Sequence, residues 1–468
     1  MKTRSVPSVL ALLSCAMCLQ AQVAAATDLV DAWQSARQHD PVIEAARAQR
    51  QAGEARQRQG RALLLPQVAA SASGAYVTTD RDTTGAQFSA PGFGASGDAS
   101  FRTRINGGQA TGWAVSAQQP IYNAERFVNS RQLDKQSQVA EIQLRAAEQD
   151  LILRMSQAYF AVLLAEETLA TTQTQKDAAA RALDIANERF DAGAAPVTDR
   201  DESRARFDEI AVQELFARDE LQLKRVAFSD LTGISALGLR GLAAGDSFER
   251  FGVGPLEAWT ARAEQGNPLI AMQNLGLDIA RDEVEKFRAA FSPVLDLIAR
   301  VSDDRMQGGN GTGTSTITAN LRTVGVQLTI PLYSGGMRTA KQDEAAALAR
   351  KAGFDALALR QEVLRQTQAS WLGVSTGISR VNARAQALRS ARARLNATET
   401  GNEVGARTML DLMNAQTDFY QAQRNLAQAK YQLLLERLRL SAMAGELSDT
   451  ELRDVNAMLS AAGAPASR

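Results

Sequence analysis

The sequence predicts a mainly α-helical fold with a small β-sheet part, built from two copies of one structural unit. Three observations support this prediction. Residues 121–192 contain neither glycine nor proline, which is typical of a very long helix. Four short segments alternate apolar with polar residues, as strands do. Motifs of the first half return in the same order in the second half, which indicates an internal duplication.

The composition argues against several classes of protein. The chain has 52 Lys and Arg against 52 Asp and Glu, so it lacks the basic excess with which proteins bind nucleic acid. It has one histidine, His39, and two cysteines, Cys15 and Cys18. These leave little for His- or Cys-based catalysis or for a metal site, and no Gly-Lys pair exists to anchor a nucleotide-binding P-loop. We therefore predict neither an enzyme nor a cofactor.

Residues 1–26 have the pattern of a secretory signal peptide. Lys2 and Arg4 precede an apolar stretch, and the small residues 24–26 suit a signal peptidase cut after Ala26. Both cysteines lie before that cut, so the mature chain would contain none. An alternative is lipidation at Cys15, because residues 12–15 loosely resemble a lipoprotein cleavage site.

Each half contains a long helical hairpin. At 1.5 Å per residue, residues 121–192 would form a rod of about 108 Å. Residues 332–464 of the second half contain no proline, and apolar or small residues recur there at coiled-coil spacing. Gly193 and Gly405 end the first helix of each hairpin, which predicts helical tips at 191–198 and 401–408.

Four short strands are predicted between the helices. Their ends are marked by prolines, whose missing N–H is tolerated at such junctions. Gly- and Thr-rich loops over 79–109 and 302–321 are expected to join them in pairs. The predicted strands are Gln67–Thr78, Ala110–Gln119, Val294–Val301 and Arg322–Ile330.

The duplication also predicts the division of the chain. Each repeat begins with a helix, at 28–62 or 255–291, that Pro41 or Pro268 interrupts near its start. The two strands and the long helical hairpin follow. The predicted parts are the signal peptide 1–26, a first repeat 27–245, a second repeat 246–460 and a C-terminal tail 461–468.

Four strands cannot close a barrel in lipid, because two edges would expose unpaired backbone groups. No segment after the signal peptide approaches 18 uninterrupted apolar residues, so no membrane-spanning helix is predicted. Closure therefore demands several copies. Three copies give twelve strands, an even number within the usual range of outer-membrane barrels.

Dispersed motifs, in the right order over about residues 28–460, resemble the TolC family of outer-membrane channel–tunnel proteins. The resemblance is densest at residues 28–41, 64–67, 330–336 and 405–416. It implies a homotrimer with a twelve-stranded outer-membrane β-barrel, continued by a long α-helical tunnel across the periplasm. The tunnel would dock through a periplasmic membrane-fusion adaptor onto an inner-membrane ABC or proton-driven transporter, which supplies the energy. The implied function is a passive exit duct for type I protein secretion, multidrug efflux or both.

The resemblance also implies a gate and a constriction near the helical tips. The family's gate network includes an Asp, an Arg and a Tyr, which fall on Asp199, Arg407 and Asn402 of this chain. Two rings of Asp make the family's narrowest point cation-selective. They fall on Asp411 and on the uncharged Asn414. One gate contact is thus altered, and a milder electronegative constriction is expected.

Two readings from other classes stay open at this point. A soluble periplasmic coiled-coil scaffold or adaptor would account for the long helices but has no use for four matched strands. A secreted hydrolase with Asp/Glu pairs would need a compact pocket, whereas these acidic residues follow helix faces. Within the channel reading, the sequence does not separate protein cargo from small molecules. The weakness of the lipidation site leans towards the protein-secretion branch.

Overall fold

The computed structural model describes residues 27–92, 94–243, 248–309 and 313–459. The predicted signal peptide and C-terminal tail lie outside these ranges. The first half runs α1 (Leu29–His39), α2 (Pro41–Ala62), β1 (Gln67–Ala90), β2 (Gly94–Tyr122), α3 (Ala124–Asp191) and α4 (Val197–Thr232). The second half runs a 3₁₀ helix (Phe248–Phe251), α5 (Leu256–Gly266), α6 (Pro268–Ala289), β3 (Val294–Gly309), β4 (Thr314–Thr329), α7 (Met337–Glu403), α8 (Met409–Met443) and α9 (Asp449–Asn456).

The helices of the two halves match in length, which confirms the predicted duplication. Helices α1 and α5 each have 11 residues, and α2 and α6 each have 22. Helix α3 has 68 residues where α7 has 67, and α4 has 36 where α8 has 35. The division into parts 27–245 and 246–460 stays a prediction.

The interruptions at Pro41 and Pro268 are built in the same way. Asp40 ends α1 and caps α2, with its carboxylate accepting from the Val42 N–H at 3.3 Å. Asn267 ends α5 and caps α6, with its amide oxygen accepting from the Leu269 N–H at 2.9 Å. Each proline occupies the first helical position, where a missing N–H costs nothing. The chain therefore kinks at both points without losing a hydrogen bond.

The strands form one antiparallel sheet in the order β1-β2-β3-β4. They are longer than predicted: β1 and β2 pair from Gln67↔Gln118 to Ala90↔Gly94, and β3 and β4 from Val294↔Thr329 to Gly309↔Thr314. The prediction of loops over 79–109 and 302–321 is therefore wrong, since most of these residues belong to the paired strands of the two hairpins.

Cross-strand polar pairs explain why the hairpins continue beyond the apolar pattern. Arg104 donates to Asp80 at 2.7 Å, and Arg102 donates to Asp82 at 2.9 Å. Opposite charges on facing strands favour pairing even where both side chains are exposed. Glycine is common there and several register shifts occur, so the alternation that reveals a strand in a sequence is lost.

Near the helices, the two faces of the sheet differ sharply in polarity. Paired residues of neighbouring strands lie on the same face, so the register assigns each side chain to a face. One face is mainly apolar, with Gln119, Asp303, Asn320 and Arg322 as its polar members. Its apolar residues are Val68, Ala70, Ala72, Trp113, Val115, Ala117, Leu295, Leu297, Ala299, Val301, Val324, Val326 and Leu328. The other carries mainly polar or small residues, among them Ser71, Ser116, Gln118, Asp296, Arg300, Ser302, Thr323 and Gln327.

The main hydrophobic core lies at the middle of α3, where α1, α4 and α8 contact that helix and α9 packs on α1 and α8. Tyr159 is 0% exposed and packs edge-on against Phe160 and Phe228, while Phe160 stacks on Tyr431 with ring centroids 5.6 Å apart. The Tyr159 hydroxyl lies 2.9 Å from the Arg240 carbonyl, to which it donates. Burial raises the pKa of this phenol, so it stays protonated at physiological pH. We call this region the waist.

In the described ranges, no helix is both long enough and apolar enough to cross a membrane.

Backbone contact at the waist generates a first prediction. Gly445 has φ +72°, and a Cβ added there would lie 2.0 Å from the Gly266 carbonyl oxygen. Gly238 has the same φ of +72° but nothing within 4 Å of an added Cβ. We expect Gly238→Ala to lower the free energy of unfolding by about 1–2 kcal/mol, the cost of a left-handed backbone. Gly445→Ala should cost about 1–3 kcal/mol more, because the contact cannot relax.

Thermal or chemical unfolding of the detergent-solubilised protein measures both changes. Equal destabilisation of the two variants would contradict the close approach of α5 to the end of α8.

Candidate gate and constriction at the helical tips

The two tips close in the same way. Gly193 (φ +72°) follows α3, and Gly405 (φ +74°) follows the end of α7. At the first tip, the Ala194 N–H donates to the Arg189 carbonyl at 2.8 Å. At the second, the Ala406 N–H donates to the Gly401 carbonyl at 2.7 Å. Each tip is thus a helix end of the Schellman type, which requires the left-handed backbone that glycine adopts without strain. The predicted roles of Gly193 and Gly405 are confirmed.

The helices that leave the tips begin differently. Thr408 caps α8: its hydroxyl accepts from the Asp411 N–H at 3.1 Å, and the Asp411 carboxylate accepts from the Thr408 N–H at 3.1 Å. At the first tip, Pro196 takes the equivalent place and offers no side-chain cap. Asp199 stands at the position equivalent to Asp411 without that reciprocal bond. The start of α8 is therefore better capped than the start of α4.

Asp411 remains a charged group in this setting. The N–H of Thr408 and its hydroxyl hold the pKa of Asp411 below its usual value, and the nearby Arg407 acts in the same direction. The carboxylate is partly exposed. It can present negative charge to solvent while it caps a helix.

Asn402 lies inside the second tip and binds its backbone. Its amide donates to the Arg407 carbonyl at 3.1 Å, and the residue is buried. The Arg407 side chain is exposed and lies over Gly401, where an added Cβ would come within 2.7 Å of Arg407 Cγ. Asn402 and Arg407 are thus brought together. In the described part of the chain, no ion pair joins Arg407 to Asp199.

Asp411 and Asn414 begin a polar stripe along the exposed face of α8. The stripe continues at the same heptad spacing through residues that sequence reasoning missed: Asp418, Gln421, Asn425, Gln428 and Gln432. Asp418 is the second carboxylate of this stripe and accepts from Arg394 of α7 at 2.6 Å. The sequence could have indicated Asp418, because it lies one heptad after Asp411.

The start of α8 is held by apolar and polar contacts. Met409 and Met413 pack against Ala182 of α3. Further along, Arg206 of α4 donates to the Thr417 hydroxyl. These contacts join the second tip to the first hairpin. Among the described residues, no group of His, Cys, Asp and Glu side chains could hold a metal ion.

Comparison with known proteins identifies the family. A family model described as outer membrane efflux protein matches residues 32–234 and 259–446. The chain belongs to this family.

Individual members are similar over nearly their whole length. The outer membrane protein TolC of Escherichia coli strain K12 is 28% identical over 447 residues, 93% of this chain and 85% of TolC. The alkaline protease secretion protein AprF of Pseudomonas aeruginosa is 30% identical over 454 residues, 95% of this chain and 89% of AprF. The CmeC outer membrane channel of Campylobacter jejuni shares the fold, with a TM-score of 0.72 at 16% identity over 92% of this chain and 90% of CmeC.

Membership of the outer membrane efflux protein family confirms the predicted TolC-type resemblance. The protein is an outer-membrane exit duct for export. The soluble periplasmic scaffold finds no support in these relatives. The family is one of transport proteins.

The capping of α8 generates a second prediction. Thr408→Ala removes the hydroxyl that accepts from Asp411, and loss of such a cap costs about 1 kcal/mol. We expect hydrogen exchange of the first-turn amides of α8 to speed up about fivefold. Ser448→Ala, which removes the similar cap of α9, should leave these amides unchanged. Unchanged exchange in Thr408→Ala would contradict the cap.

The same bond makes the tip sensitive to acid. The pKa of Asp411 in the folded state lies below its unfolded value of 3.8. Its stabilisation of the tip is therefore fully present above pH 3.8 and is lost as the pH falls through the lower folded-state pKa. The protection factors of the amides at the start of α8, which correct for the pH dependence of intrinsic exchange, should fall over that interval in the wild type and less in Asp411→Asn.

Proposed function

We propose that the protein works as a homotrimer whose three sheets close one twelve-stranded barrel in the outer membrane and whose helices form one periplasmic tunnel. One observation carries the proposal. In the described sheet, β1 pairs only with β2 and β4 only with β3, so each chain has two strand edges without a partner. Unpaired backbone groups are costly in lipid, and joining β1 of one copy to β4 of the next satisfies them.

The helices have free edges on the same two sides. Next to the sheet, contacts follow the order α2-α3-α6-α7, which leaves α2 and α7 at the edges. Towards the tips they follow α4-α3-α8-α7, which leaves α4 and α7. In the sheet, next to it and near the tips alike, one open side of the chain is formed by an element of the first half and the other by an element of the second half. Such head-to-tail surfaces close into a ring when repeated about an axis.

The polarity of the sheet supports its place in the membrane. The apolar face would meet lipid, and the face with Asp296 and Arg300 would line the channel. Trp113 and Tyr76 lie towards the far end of the apolar band, and Tyr122 lies at its helical end. Aromatic residues at both borders are typical of membrane interfaces.

The proposed partners are a periplasmic membrane-fusion adaptor and an inner-membrane ABC or proton-driven transporter that docks through it. Two relatives favour protein as the cargo. AprF is named for alkaline protease secretion, and PrtF of Dickeya chrysanthemi, 25% identical over 461 residues, for secretion of proteases. Type I protein secretion is therefore the proposed use of the duct.

The proposed gate lies at the tips. Around a threefold axis, Asp199 of one copy and Arg407 of another can come within reach of each other, although no ion pair joins them within the described part of one chain. A carboxylate and a guanidinium form charge-assisted bonds that would hold neighbouring tips together. Asp411 supplies the negative ring of the constriction, and Asn414 adds polarity without charge.

Recordings in lipid bilayers test this function. The purified protein should form channels that prefer cations, and Asp411→Ala should lower the cation-to-anion permeability ratio severalfold, because the ring loses three carboxylates. Asn414→Asp should raise it by adding three. Asp278→Asn, on α6 and beside Arg281, is the matched control and should change nothing.

Equal selectivity in wild type and Asp411→Ala would remove Asp411 from the constriction. In the same recordings Arg407→Ala should increase the single-channel conductance, since the tips lose a cation that holds them together. Failure of the wild-type protein to form channels would contradict the duct itself.

A further inference from the structure

We propose that the tunnel contains a cationic groove at the level of the waist, in which Arg380 and Arg439 bind carboxylates of an acidic segment of the exported polypeptide. We call this site the arginine groove. It lies between α7 and α8 and opens to the tunnel interior, about 42 Å above Asp411. The inference rests on the proposed function, because it needs a tunnel with protein cargo, and it adds a binding site to that tunnel.

The surroundings of α8 place Arg439 on the inner side. At the waist, one side of α8 is covered, since Leu438 and Ser441 line a small cavity together with residues of α9 and of the 3₁₀ helix. Arg439 is exposed on another side. It follows Gln432 by seven residues and so continues the polar stripe that Asp411 begins. In the proposed trimer this stripe faces the tunnel interior, and Arg439 therefore faces it too.

Arg380 lies on the corresponding side of α7. The Trp371 indole N–H donates to the Gly254 carbonyl at 2.9 Å, so this side of α7 faces the segment that follows the 3₁₀ helix. Arg380 comes nine residues later, which is about two and a half helical turns, and thus lies on the opposite side. Arg384 follows one turn further along the same side, and both arginines are exposed.

Small residues open the groove between the two helices. A Cβ added at Gly373 would lie 3.0 Å from Glu436 Oε2, so only glycine lets α7 come this close to α8 without displacing that side chain. Ala369 also lines the groove and adds little bulk. The groove has a volume of about 750 Å³, and Arg380 and Arg439 both line it.

Positive charge exceeds negative charge in the groove. Arg439 pairs with Glu436 at 2.8 Å, and among the described residues Glu436 is the only carboxylate that lines the groove. Arg380 and the neighbouring Arg384 have no ion pair within the described ranges. Each chain therefore contributes three guanidinium groups against one carboxylate. A threefold axis repeats this excess around the tunnel, where the walls concentrate its field.

The spacing of the two arginines favours a polypeptide over a small anion. Because the helices run antiparallel and Gly373 lies beside Glu436, Arg380 lies about 10 Å nearer the tips than this level and Arg439 about 4 Å further from them. An extended chain rises about 3.3 Å per residue. Carboxylates four or five residues apart can therefore reach both arginines, whereas a small anion reaches one.

Binding of a labelled peptide to the purified full-length protein tests the groove. The probe has about twelve residues of serine and glycine with Glu at every fourth position, about 13 Å apart. Fluorescence anisotropy should show binding to the wild type and an affinity about tenfold lower for Arg380→Gln/Arg439→Gln, which loses two charge-assisted contacts. Arg380→Lys/Arg439→Lys keeps both charges and should retain most of the affinity.

Arg453→Gln is the matched control. Arg453 is exposed on α9, which lies at the level of the waist but outside the groove, so this variant should bind the peptide as the wild type does. Equal affinity of the wild type and the double Gln variant would overturn the groove, as would an equal loss in the double Lys variant. Displacement of the peptide by inorganic phosphate at the same concentration of charge would overturn the polypeptide occupant.

Bilayer recordings of the same variants separate the groove from the proposed function. Arg380→Gln/Arg439→Gln should still form channels, with a higher cation-to-anion permeability ratio, because the interior loses two cations per chain. Wild-type channels whose selectivity depends on Asp411 but not on these arginines, together with unchanged peptide binding, would overturn the groove alone. Failure of the wild type to form channels would overturn the duct on which the groove depends.

Discussion

The structure depends on a single constraint, the need to pair the backbone groups at the two free edges of the sheet. Among the residues that the structure describes, strands β1 and β4 each have a partner on one side only. In water such edges are a liability; in lipid they are prohibitive. In the proposed trimer the neighbouring copies meet this need, since a four-stranded sheet is too narrow to close on itself. The arrangement of the helices follows from this, because helices that continue from the sheet have unpartnered faces on the same two sides of the chain as the sheet edges.

The waist joins the two halves of the duplicated chain through one shared core. Helices of both halves meet around Tyr159, and the kinks at Asp40 and Asn267 let short helices pack beside long ones without losing hydrogen bonds. The tips, by contrast, rest on a few hydrogen bonds and a small cluster around Met409 and Met413. Stability is therefore concentrated far from the proposed gate, which is where a part that must move is expected to be less firmly held.

The sequence predicted most of the fold because its signals are local and repeated. Proline at a kink, glycine at a tip and long runs of helix formers leave the backbone few alternative conformations. The upper hairpins were missed because Asp80–Arg104 and similar pairs stabilise strands without apolar alternation. At the tips, Asp411 was predicted as a constriction residue, yet its bond to Thr408 was overlooked, although Thr408 and Asp411 have the spacing of a capping box. The burial of Asn402 depends on the three-dimensional path of the loop and has no local signal.

The mass of the protein extracted from outer membranes in mild detergent tests the central claim most directly. Native mass spectrometry should show one species with three chains, stable to dilution, since each copy completes two edges of its neighbours. A stable monomer that still forms channels in bilayers would contradict this account, because four strands would then have satisfied their edges without a second copy.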